Sequence, residues 1–489
     1  MLVYCRINLR QNAQPQTHAR ETCVHVASSI FKAYDVRGIV DDTLTEPAVQ
    51  AIGAALGLLI HRRGRSVCVI GRDGRLSGPR LVDALAHGLM DAGIDVIDIG
   101  QVPTPVVYFA TVKTECGTGV AVTGSHNPPQ YNGLKMMVAG QTLWGDDIQL
   151  LHALIASDEA DAHRRQVGPK RRGRRSADLT MVQTYINAVL ADVRLSRRIA
   201  VAVDAGNGVA GGVAPELLSR LGASVRPLFC EVDGQFPNHH PDPAHAENLQ
   251  DLIACVTSTE AELGLAFDGD GDRLGVVTKS GAVIWPDRQL MLYAAEVLKH
   301  RPGGQVIFDV KCTRHVASWV RQHGGVPIMW KTGHSLIKAK LKETSAPLAG
   351  EMSGHIFFND RWFGFDDALY TAARLLEIVS RVENPSALLE SLPDSASTPE
   401  LHLAIEEGQN VALVEQLKAR GVFPTAVERV TIDGIRVEYA DGFGLARPSN
   451  TTPVVVLRFE ADTPQALARI QSEFRSSLEA VAPGMRLPF

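Results

Sequence analysis

Apolar runs and amphipathic segments alternate along most of the chain. Residues 66–100, 198–229 and 304–330 share one layout: an apolar strand, a polar turn, an amphipathic helix that ends near glycine, and a second apolar strand. This pattern is typical of a strand–helix–strand unit, and its three copies predict three related α/β domains in series. Because the predicted strands are almost continuously apolar, we expect helices to cover both faces of each sheet.

The pattern changes after about residue 395. The chain ends there with the predicted strand PVVVLRFEA and the amphipathic segment TPQALARIQSEFRSSLEAV, which predict a smaller α+β domain. The 489 residues fit about three or four domains. The predicted division is a flexible extension at 1–27 and domains at 28–176, 177–282, 283–394 and 395–489.

Composition narrows the class of protein. Hydrophobic residues make up 45% of the chain and charged residues 21%, as in a soluble enzyme, and the net charge of −5 argues against nucleic-acid binding. Seven cysteines without C-x-x-C spacing predict reduced thiols in a cytoplasmic protein and no zinc knuckle. No apolar stretch reaches the ~18 residues that span a membrane, and residues 1–27 lack a signal-peptide core. The Arg-rich stretch 163–175 is interpreted as a solvated linker or loop.

The strongest chemical pattern is LGLAFDGDGDRLGVV, residues 263–277. Asp268, Asp270 and Asp272 alternate with glycines directly after an apolar strand, so an extended loop would point three carboxylates at one place. Such charges repel unless a cation lies among them, and oxygen ligands favour Mg²⁺ or Ca²⁺. An EF-hand needs Gly and Glu where Arg273 and Lys279 stand. The pattern therefore predicts a Mg²⁺ site with coordination positions open to a phosphate.

Three other segments carry weaker signals. In GVAVTGSHNPPQYNGLK (119–135) an apolar strand leads into an exposed turn, which is typical either of turn chemistry or of a site around Ser125. GEMSGH (350–355) places a carboxylate, a hydroxyl and an imidazole on one side of an extended loop, where they could hold sugar hydroxyls. ARPSNTTP (446–453) offers the guanidinium of Arg447 beside hydroxyl and amide groups, which together could bind an anion.

A competing pattern favours a different function. Gly206, Gly208 and Gly211 form G-x-G-x-x-G between a predicted strand and helix, with Glu231 about twenty residues beyond, as in nicotinamide-dependent dehydrogenases. That hypothesis explains neither the three aspartates nor the Ser125 turn, so a tight turn of a repeated unit is the better interpretation. A non-catalytic module that binds sugar phosphates is a third possibility.

Taken in order, eight segments resemble the α-D-phosphohexomutase superfamily, and within it the bacterial phosphomannomutase/phosphoglucomutase group. They are FKAYDVRG, GRDGRLSG, TGSHNPPQYNGLK, FDGDGDR, DVKCT, KTGHS, GEMSGH and RPSNTTP. The resemblance runs from about residue 31 to the end and implies four domains around a central cleft. It further implies a cytoplasmic enzyme that interconverts the 1-phosphates and 6-phosphates of mannose and glucose for nucleotide-sugar biosynthesis.

The resemblance also implies a mechanism and a cofactor. A phosphorylated Ser125 would exchange its phosphate with a hexose phosphate through a bound 1,6-bisphosphate. Mg²⁺ would be held by the three aspartates and the Ser125 phosphate, and glucose 1,6-bisphosphate would be the activator. Small hexose phosphates are the only expected partners, and a monomer is favoured. The preference between mannose and glucose stays open.

Further residues receive roles from the same resemblance. Lys135 matches the general acid/base, and His126 and Arg273 match neighbouring catalytic contacts. The predicted substrate-binding residues are Tyr34, Arg37, Lys311, His334, Glu351, Ser353, His355, Arg447, Ser449, Asn450 and Thr451. Residues 1–27 and the Arg-rich stretch match no motif of the family.

Overall fold

A computed structural model of the chain describes residues 26–406, 408–449 and 452–489. The predicted N-terminal extension thus lies outside the described residues, apart from its last two positions. Within the described part the chain forms four β-sheets in series, each with its own helices. None of the described helices has the length and apolar character needed to cross a membrane.

The first sheet is mixed, with the strand order β1-β5-β4-β2-β3-β7 and a short β6 paired to β5. Its strands β2 and β3 are parallel and α2 joins them, which confirms the unit predicted at 66–100. The elements are β1 (Val36–Ile39), α1 (Glu46–Arg62), β2 (Val67–Arg72), α2 (Gly78–Asp91), β3 (Asp95–Gln101), α3 (Thr104–Lys113), β4 (Gly119–Val122), β5 (Tyr131–Val138), β6 (Gln141–Thr142), α4 (Asp146–Ala156), α5 (Glu159–Val167) and β7 (Arg175–Ala177).

The Arg-rich stretch is largely solvent-exposed, in agreement with its interpretation as a solvated linker or loop, but it also contributes to the first sheet. It contains the end of α5 and, at Arg175, the first residue of the exposed edge strand β7, which pairs with β3 of the first sheet. Arg172 forms an ion pair with Asp91, and Arg175 pairs with Asp83 and Asp98. These contacts, together with the strand pairing, make the stretch part of the first sheet's domain. The sequence pattern shows only its high charge.

The second sheet has the order β12-β11-β10-β8-β9. The parallel strands β8 and β9, joined by α7, are the unit predicted at 198–229. Gly211 of the G-x-G-x-x-G pattern lies against the backbone of Cys230, where any side chain would collide, so close packing explains this glycine. The elements are α6 (Met181–Asp192), β8 (Ala200–Asp204), α7 (Ala214–Leu221), β9 (Ser224–Leu228), α8 (Gln250–Ser258), β10 (Leu263–Phe267), β11 (Leu274–Thr278) and β12 (Val283–Ile284).

The third sheet has the order β14-β13-β15-β16, and β13 and β14 are the parallel pair predicted at 304–330. Its helix α11 begins directly after the KTG turn at 331–333, which places that turn at the carboxyl end of β14. The elements are α9 (Pro286–His300), β13 (Gln305–Asp309), α10 (His315–Gln322), β14 (Val326–Trp330), α11 (His334–Thr344), β15 (Leu348–Gly350), β16 (Ile356–Phe358), α12 (Ala368–Val379) and α13 (Pro385–Glu390).

The last sheet is antiparallel along β17-β22-β21-β20-β19, and β18 also pairs with β22. Two long helices pack on this sheet, so the α+β domain predicted after residue 395 corresponds to a separate unit of the fold. The elements are β17 (Ala396–Ser397), β18 (Leu401–Ala404), α14 (Gln409–Arg420), β19 (Glu428–Val430), β20 (Ile435–Tyr439), β21 (Gly442–Pro448), β22 (Val454–Ala461) and α15 (Pro464–Val481).

Apolar packing joins the first three sheets. Along β2, Cys68 and Ile70 face a core formed within the first sheet's own helices, whereas Val69 faces a second core. That second core also contains Val203 of β8 and Val306 of β13, so it is shared by three sheets. The predicted burial of both faces is therefore confirmed for this sheet. The shared core holds the loops at the ends of the three sheets in fixed relative positions.

Candidate functional site

Ser125 lies in the loop after β4, with a left-handed backbone (φ 50°) and a side chain that is 1% exposed. The turn predicted to be exposed is thus buried at its serine, because a loop of the second sheet covers it. The backbone N–H of Ser125 donates to Thr123 Oγ1 at 2.8 Å. The buried guanidinium of Arg75 donates to the carbonyl oxygens of Ser125, Asn127, Pro128 and Tyr131 at 2.5 to 2.9 Å. Together these bonds fix the serine loop.

The covering loop is the one that carries the three aspartates, directly after β10. Their carboxylate oxygens lie within 4.8 Å of one another, and Asp268 Oδ2 is 3.3 Å from Ser125 Oγ. Asp268 Oδ1 accepts from the backbone N–H groups of Asp272 and Arg273. A side chain at Gly269 would collide with the carbonyl oxygen of Ser125, so this glycine permits the two loops to touch. The predicted convergence of the carboxylates on one point is observed.

Lys135 is the internal counter-charge of this cluster. Its Nζ lies 2.7 Å from Asp270 Oδ2 and 2.5 Å from Asp272 Oδ2, and Thr104 Oγ1 also donates to Asp270. Burial alone would lower the pKa of Lys135, but the surrounding carboxylates outweigh it and raise that pKa above its ordinary value. Burial raises the pKa of Asp268 well above its usual range, and the charges of Asp272 and Asp270 add to this.

The cluster fits a divalent cation. Asp270 Oδ1 and Asp272 Oδ1 are buried and have no hydrogen-bond partner within the described part of the chain. Unpartnered buried carboxylate oxygens are costly, and coordination of a hard cation would satisfy them. With Asp268 Oδ2 beside the serine hydroxyl, the three oxygens offer a partial ligand set that leaves positions open toward Ser125.

Arg273 and three histidines border the cluster. Arg273 Nε donates to His355 Nε2 at 3.1 Å, and His355 Nδ1 lies 3.3 Å from Asp366 Oδ2 and 3.5 Å from Asp272 Oδ1. His126 Nδ1 lies 3.2 Å from Ser125 Oγ, and burial lowers the pKa of His126 well below its usual value. His334 also contacts Asp366; burial and then Lys338 lower the pKa of His334 to about 4.

The predicted sugar-reading loop lies beside the KTG turn. Glu351 Oε1 accepts from the backbone N–H of Gly333 at 2.6 Å, and burial raises the pKa of Glu351 to about 7. Glu351 Oε2 is buried without a partner in the described residues, and Ser353 lies half-buried on the same loop. Tyr34 Oη donates to the carbonyl oxygen of Thr332, which ties the first sheet's domain to this turn.

Two more predicted residues are held by ion pairs. Arg37 contacts both Asp35 and Asn127 Oδ1, so it adjoins the serine loop. Lys311 Nζ lies 2.5 Å from Glu400 Oε1, a contact between the third and fourth sheets' domains. Burial would lower the pKa of Lys311, but Glu400 outweighs this and raises it.

The anion-binding segment at the end of β21 is partly described. Arg447 is 5% exposed, and its Nε donates to Asp433 Oδ2 at 3.0 Å. Ser449 Oγ lies 2.8 Å from Thr452 Oγ1. Asn450 and Thr451 lie outside the described residues, so their predicted phosphate contacts stay predictions.

Sequence reasoning missed several residues of this site. The fully buried Arg75 stands in the segment GRDGRLSG, but nothing in that segment shows that its guanidinium reaches the serine loop. Asp366 and Lys338 form an ion pair beside His334, and no local pattern marks either residue. Asp433 likewise contacts Arg447 from a hairpin turn, and its sequence is typical of any turn, so it does not indicate this contact.

Comparisons with known proteins all identify relatives of one family, and the matches cover the segments that form the site. Four family models match in chain order: phosphoglucomutase/phosphomannomutase alpha/beta/alpha domain I at residues 28–161, domain II at 183–281, domain III at 285–395 and the C-terminal domain at 400–477. A phosphoglucomutase of Neisseria gonorrhoeae is 54% identical over 456 residues, which cover 93% of this chain and 98% of the relative.

A phosphomannomutase/phosphoglucomutase of Pseudomonas aeruginosa is 50% identical over 463 residues, with 94% of this chain and 98% of that relative covered. Among solved structures, a phosphoglucomutase/phosphomannomutase family protein from Burkholderia thailandensis superposes with a TM-score of 0.89 at 55% identity. That match covers 95% of this chain and all of the other.

Proposed function

The chain belongs to the phosphoglucomutase/phosphomannomutase family and is a hexose-phosphate mutase, and from this premise we propose that Ser125 carries the phosphoryl group. The observation that carries the proposal is the 3.3 Å contact between Ser125 Oγ and Asp268 Oδ2 at a cluster that fits a divalent cation. Mg²⁺ is the hard cation that suits carboxylate ligands meeting a phosphate. When bound, it would offset the negative charge of the transferring group.

In the proposed cycle, the phosphoryl group leaves Ser125 Oγ for the free hydroxyl of a hexose monophosphate. A P–O bond to the sugar forms as the bond to Oγ breaks, which leaves a 1,6-bisphosphate and a free serine. The bisphosphate then turns in the site, and Ser125 recovers the other phosphate. We assign the proton exchange to Lys135 and His126, and the positive charge beside the phosphate to Arg273.

Burial supports a phosphoserine that reacts with sugar and not with water. Ser125 and the three aspartates are all at most 1% exposed, so few water molecules can reach the phosphate. The loop that carries Ser125 is fixed by its hydrogen bonds. This favours positioning of the phosphoryl group, and not covalent activation, as the source of the rate of transfer. Glu351, Ser353 and His355 would read the sugar hydroxyls, and Arg447 would hold the phosphate that is not reacting.

A direct assay tests the proposal. The pure protein is incubated with Mg²⁺, a trace of glucose 1,6-bisphosphate and either mannose 1-phosphate or glucose 1-phosphate. We expect the 6-phosphate from each sugar, and an intact mass that includes one phosphate on the wild type. Ser125→Ala should lack the phosphate in its intact mass, and its rate of 6-phosphate formation should be at least about 1,000-fold lower. Ser258→Ala, an exposed serine at the end of α8, serves as the matched control.

The same assay separates the two other hypotheses. Sugar-phosphate binding without turnover by the wild type would favour a non-catalytic module, and full turnover by Ser125→Ala would contradict the phosphoserine. For a dehydrogenase, NADH fluorescence should respond to the protein and the response should disappear with Gly208→Val. We expect no response, because Gly211 packs on Cys230 and the aspartate loop already covers the Ser125 turn.

A further inference from the structure

Asp433 joins Arg447, the predicted phosphate-binding residue that we call the phosphate clamp, to the third sheet's domain. It lies in the turn between β19 and β20, and one oxygen, Oδ2, accepts both the Nε–H of Arg447 and the backbone N–H of Thr332, each at 3.0 Å. The carboxylate is 12% exposed and the Arg447 side chain 6%, so water competes little for these bonds. A single oxygen therefore links two domains at the clamp.

This contact determines which edge of the Arg447 guanidinium remains free. The group is planar and presents its donors in a rigid fork, so a bond at Nε sets the direction of Nη1 and Nη2. Nη2 of Arg447 is buried and has no hydrogen-bond partner in the part of the chain that the structure describes. One nitrogen of the fork that best matches a phosphate is thus held in place without a partner in the described residues.

The second bond carries the orientation into the substrate site. Thr332 is followed by Gly333, whose backbone N–H donates to Glu351 Oε1 at 2.6 Å. The carbonyl oxygen of Thr332 accepts from Tyr34. Asp433 therefore holds the same turn that fixes Glu351, the residue predicted to bind sugar hydroxyls. A shift of the Thr332 amide would move both Glu351 and Arg447.

We propose that Asp433 is a positioning residue that sets the Arg447 fork toward the distal phosphate and registers it against the turn beside Glu351. The proposal rests on the proposed function, in which Arg447 binds that phosphate. Asp433 itself touches no reacting atom.

Two effects of Asp433 on phosphate binding have opposite signs. Its negative charge repels the substrate phosphate, whereas its acceptor oxygen orients the cation that attracts it. Two substitutions separate them. Asp433→Asn removes the charge and can still present one oxygen to both donors, whereas Asp433→Ala removes the charge and the acceptor together.

The experiment measures kcat and KM for glucose 1-phosphate and mannose 1-phosphate in both variants at saturating glucose 1,6-bisphosphate. We expect Asp433→Ala to raise KM about 10-fold with a smaller change in kcat, and Asp433→Asn to leave KM equal to or below the wild-type value. Asp441→Ala breaks a surface carboxylate–guanidinium pair with Arg469 of α15 in the same domain and should change neither constant. A lower KM in both Asp433 variants, or an equal rise in both, would overturn the proposal.

A double substitution tests whether Asp433 acts through Arg447. Asp433→Ala combined with Arg447→Ala should lose less kcat/KM than the product of the two single losses, because only the Thr332 turn then remains for Asp433 to position. Additive losses would overturn the proposal. Failure of the proposed function, in which Arg447 binds the distal phosphate, gives a different result: Arg447→Ala alone would then leave kcat/KM unchanged.

Discussion

Arg75 Nη2 donates to the carbonyl oxygen of Ser125 at 2.8 Å, and this bond comes from a guanidinium that is entirely inside the protein. Four loop carbonyls and the carboxylate of Asp73 share the donors of that one group. The serine loop is thus held by a buried cation. Its strained backbone at Ser125 persists because these bonds over-determine it.

We therefore expect Arg75→Met to destabilise the protein by about 3 to 5 kcal/mol, because it leaves a buried carboxylate and several carbonyls without partners. The midpoint of urea denaturation measures this loss, and kcat/KM should fall as the serine loop loosens. Arg80→Met is the control, since Arg80 pairs with Asp41 and Glu46 at the surface and should cost under about 1 kcal/mol. Equal midpoints for the two variants would contradict the expectation.

The aspartate cluster predicts a specific metal dependence. Asp270→Asn should lower the activity at least about 100-fold at ordinary Mg²⁺ concentrations and raise the Mg²⁺ concentration needed for half-maximal activity, because one anionic ligand oxygen is lost. The amide oxygen can still accept from Lys135 and Thr104, so the fold should persist.

Titration of activity with Mg²⁺, and the shift in Tm that Mg²⁺ produces, measure the effect of Asp270→Asn. Asp251→Asn, on the exposed first turn of α8, is the matched control. Near-normal turnover of Asp270→Asn at ordinary Mg²⁺ would exclude Asp270 from the metal site.

Local patterns predict much of the fold and part of the site. The three parallel pairs β2/β3, β8/β9 and β13/β14 follow from apolar strands joined by amphipathic helices. The convergence of Asp268, Asp270 and Asp272 follows from their alternation after a strand. These features depend on neighbours within a few residues, which is the range over which a sequence pattern carries information.

The missed residues depend on contacts between distant segments. Arg75 reaches carbonyls more than fifty residues away, and Asp433 reaches Thr332 across a domain boundary. The burial of Ser125 likewise arises from a loop 143 residues further along the chain. No periodicity encodes such contacts. The assigned domain boundaries and the roles of the individual site residues stay predictions.

Arg447 should recognise phosphate and ignore the sugar. The bisphosphate must turn over, so the clamp has to accept a phosphate on either end of the ring. A charge-assisted bond is worth about 1.5 to 3 kcal/mol, so Arg447→Ala should lower kcat/KM roughly 10- to 100-fold for mannose 1-phosphate and glucose 1-phosphate alike. It should also increase the requirement for added glucose 1,6-bisphosphate. A large loss for one sugar alone would show that Arg447 reads the ring.

Glu351 should make stability and activity depend on pH near neutrality. Burial raises the pKa of its carboxyl from 4.5 to about 7, so between these values the folded protein binds a proton that the unfolded chain has lost. Stability contributed by this group therefore falls as pH rises from about 4.5 to 7. Glu351→Gln is neutral throughout and keeps an acceptor for the Gly333 N–H. The Tm of this variant minus the Tm of the wild type should therefore be larger at pH 8 than at pH 5.

Activity provides the second measurement on the same pair of proteins. If the ionised carboxylate accepts sugar hydroxyls, wild-type kcat/KM should fall as pH falls through about 7, because protonation removes acceptor capacity. Glu351→Gln should lack this step and be slower at pH 8. Asp367, whose pKa burial also raises to about 7, titrates in both proteins and cancels in the comparison. If the difference between the two Tm profiles is flat from pH 5 to 8, Glu351 does not titrate there, and its buried carboxyl must be held in one protonation state by the residues around it.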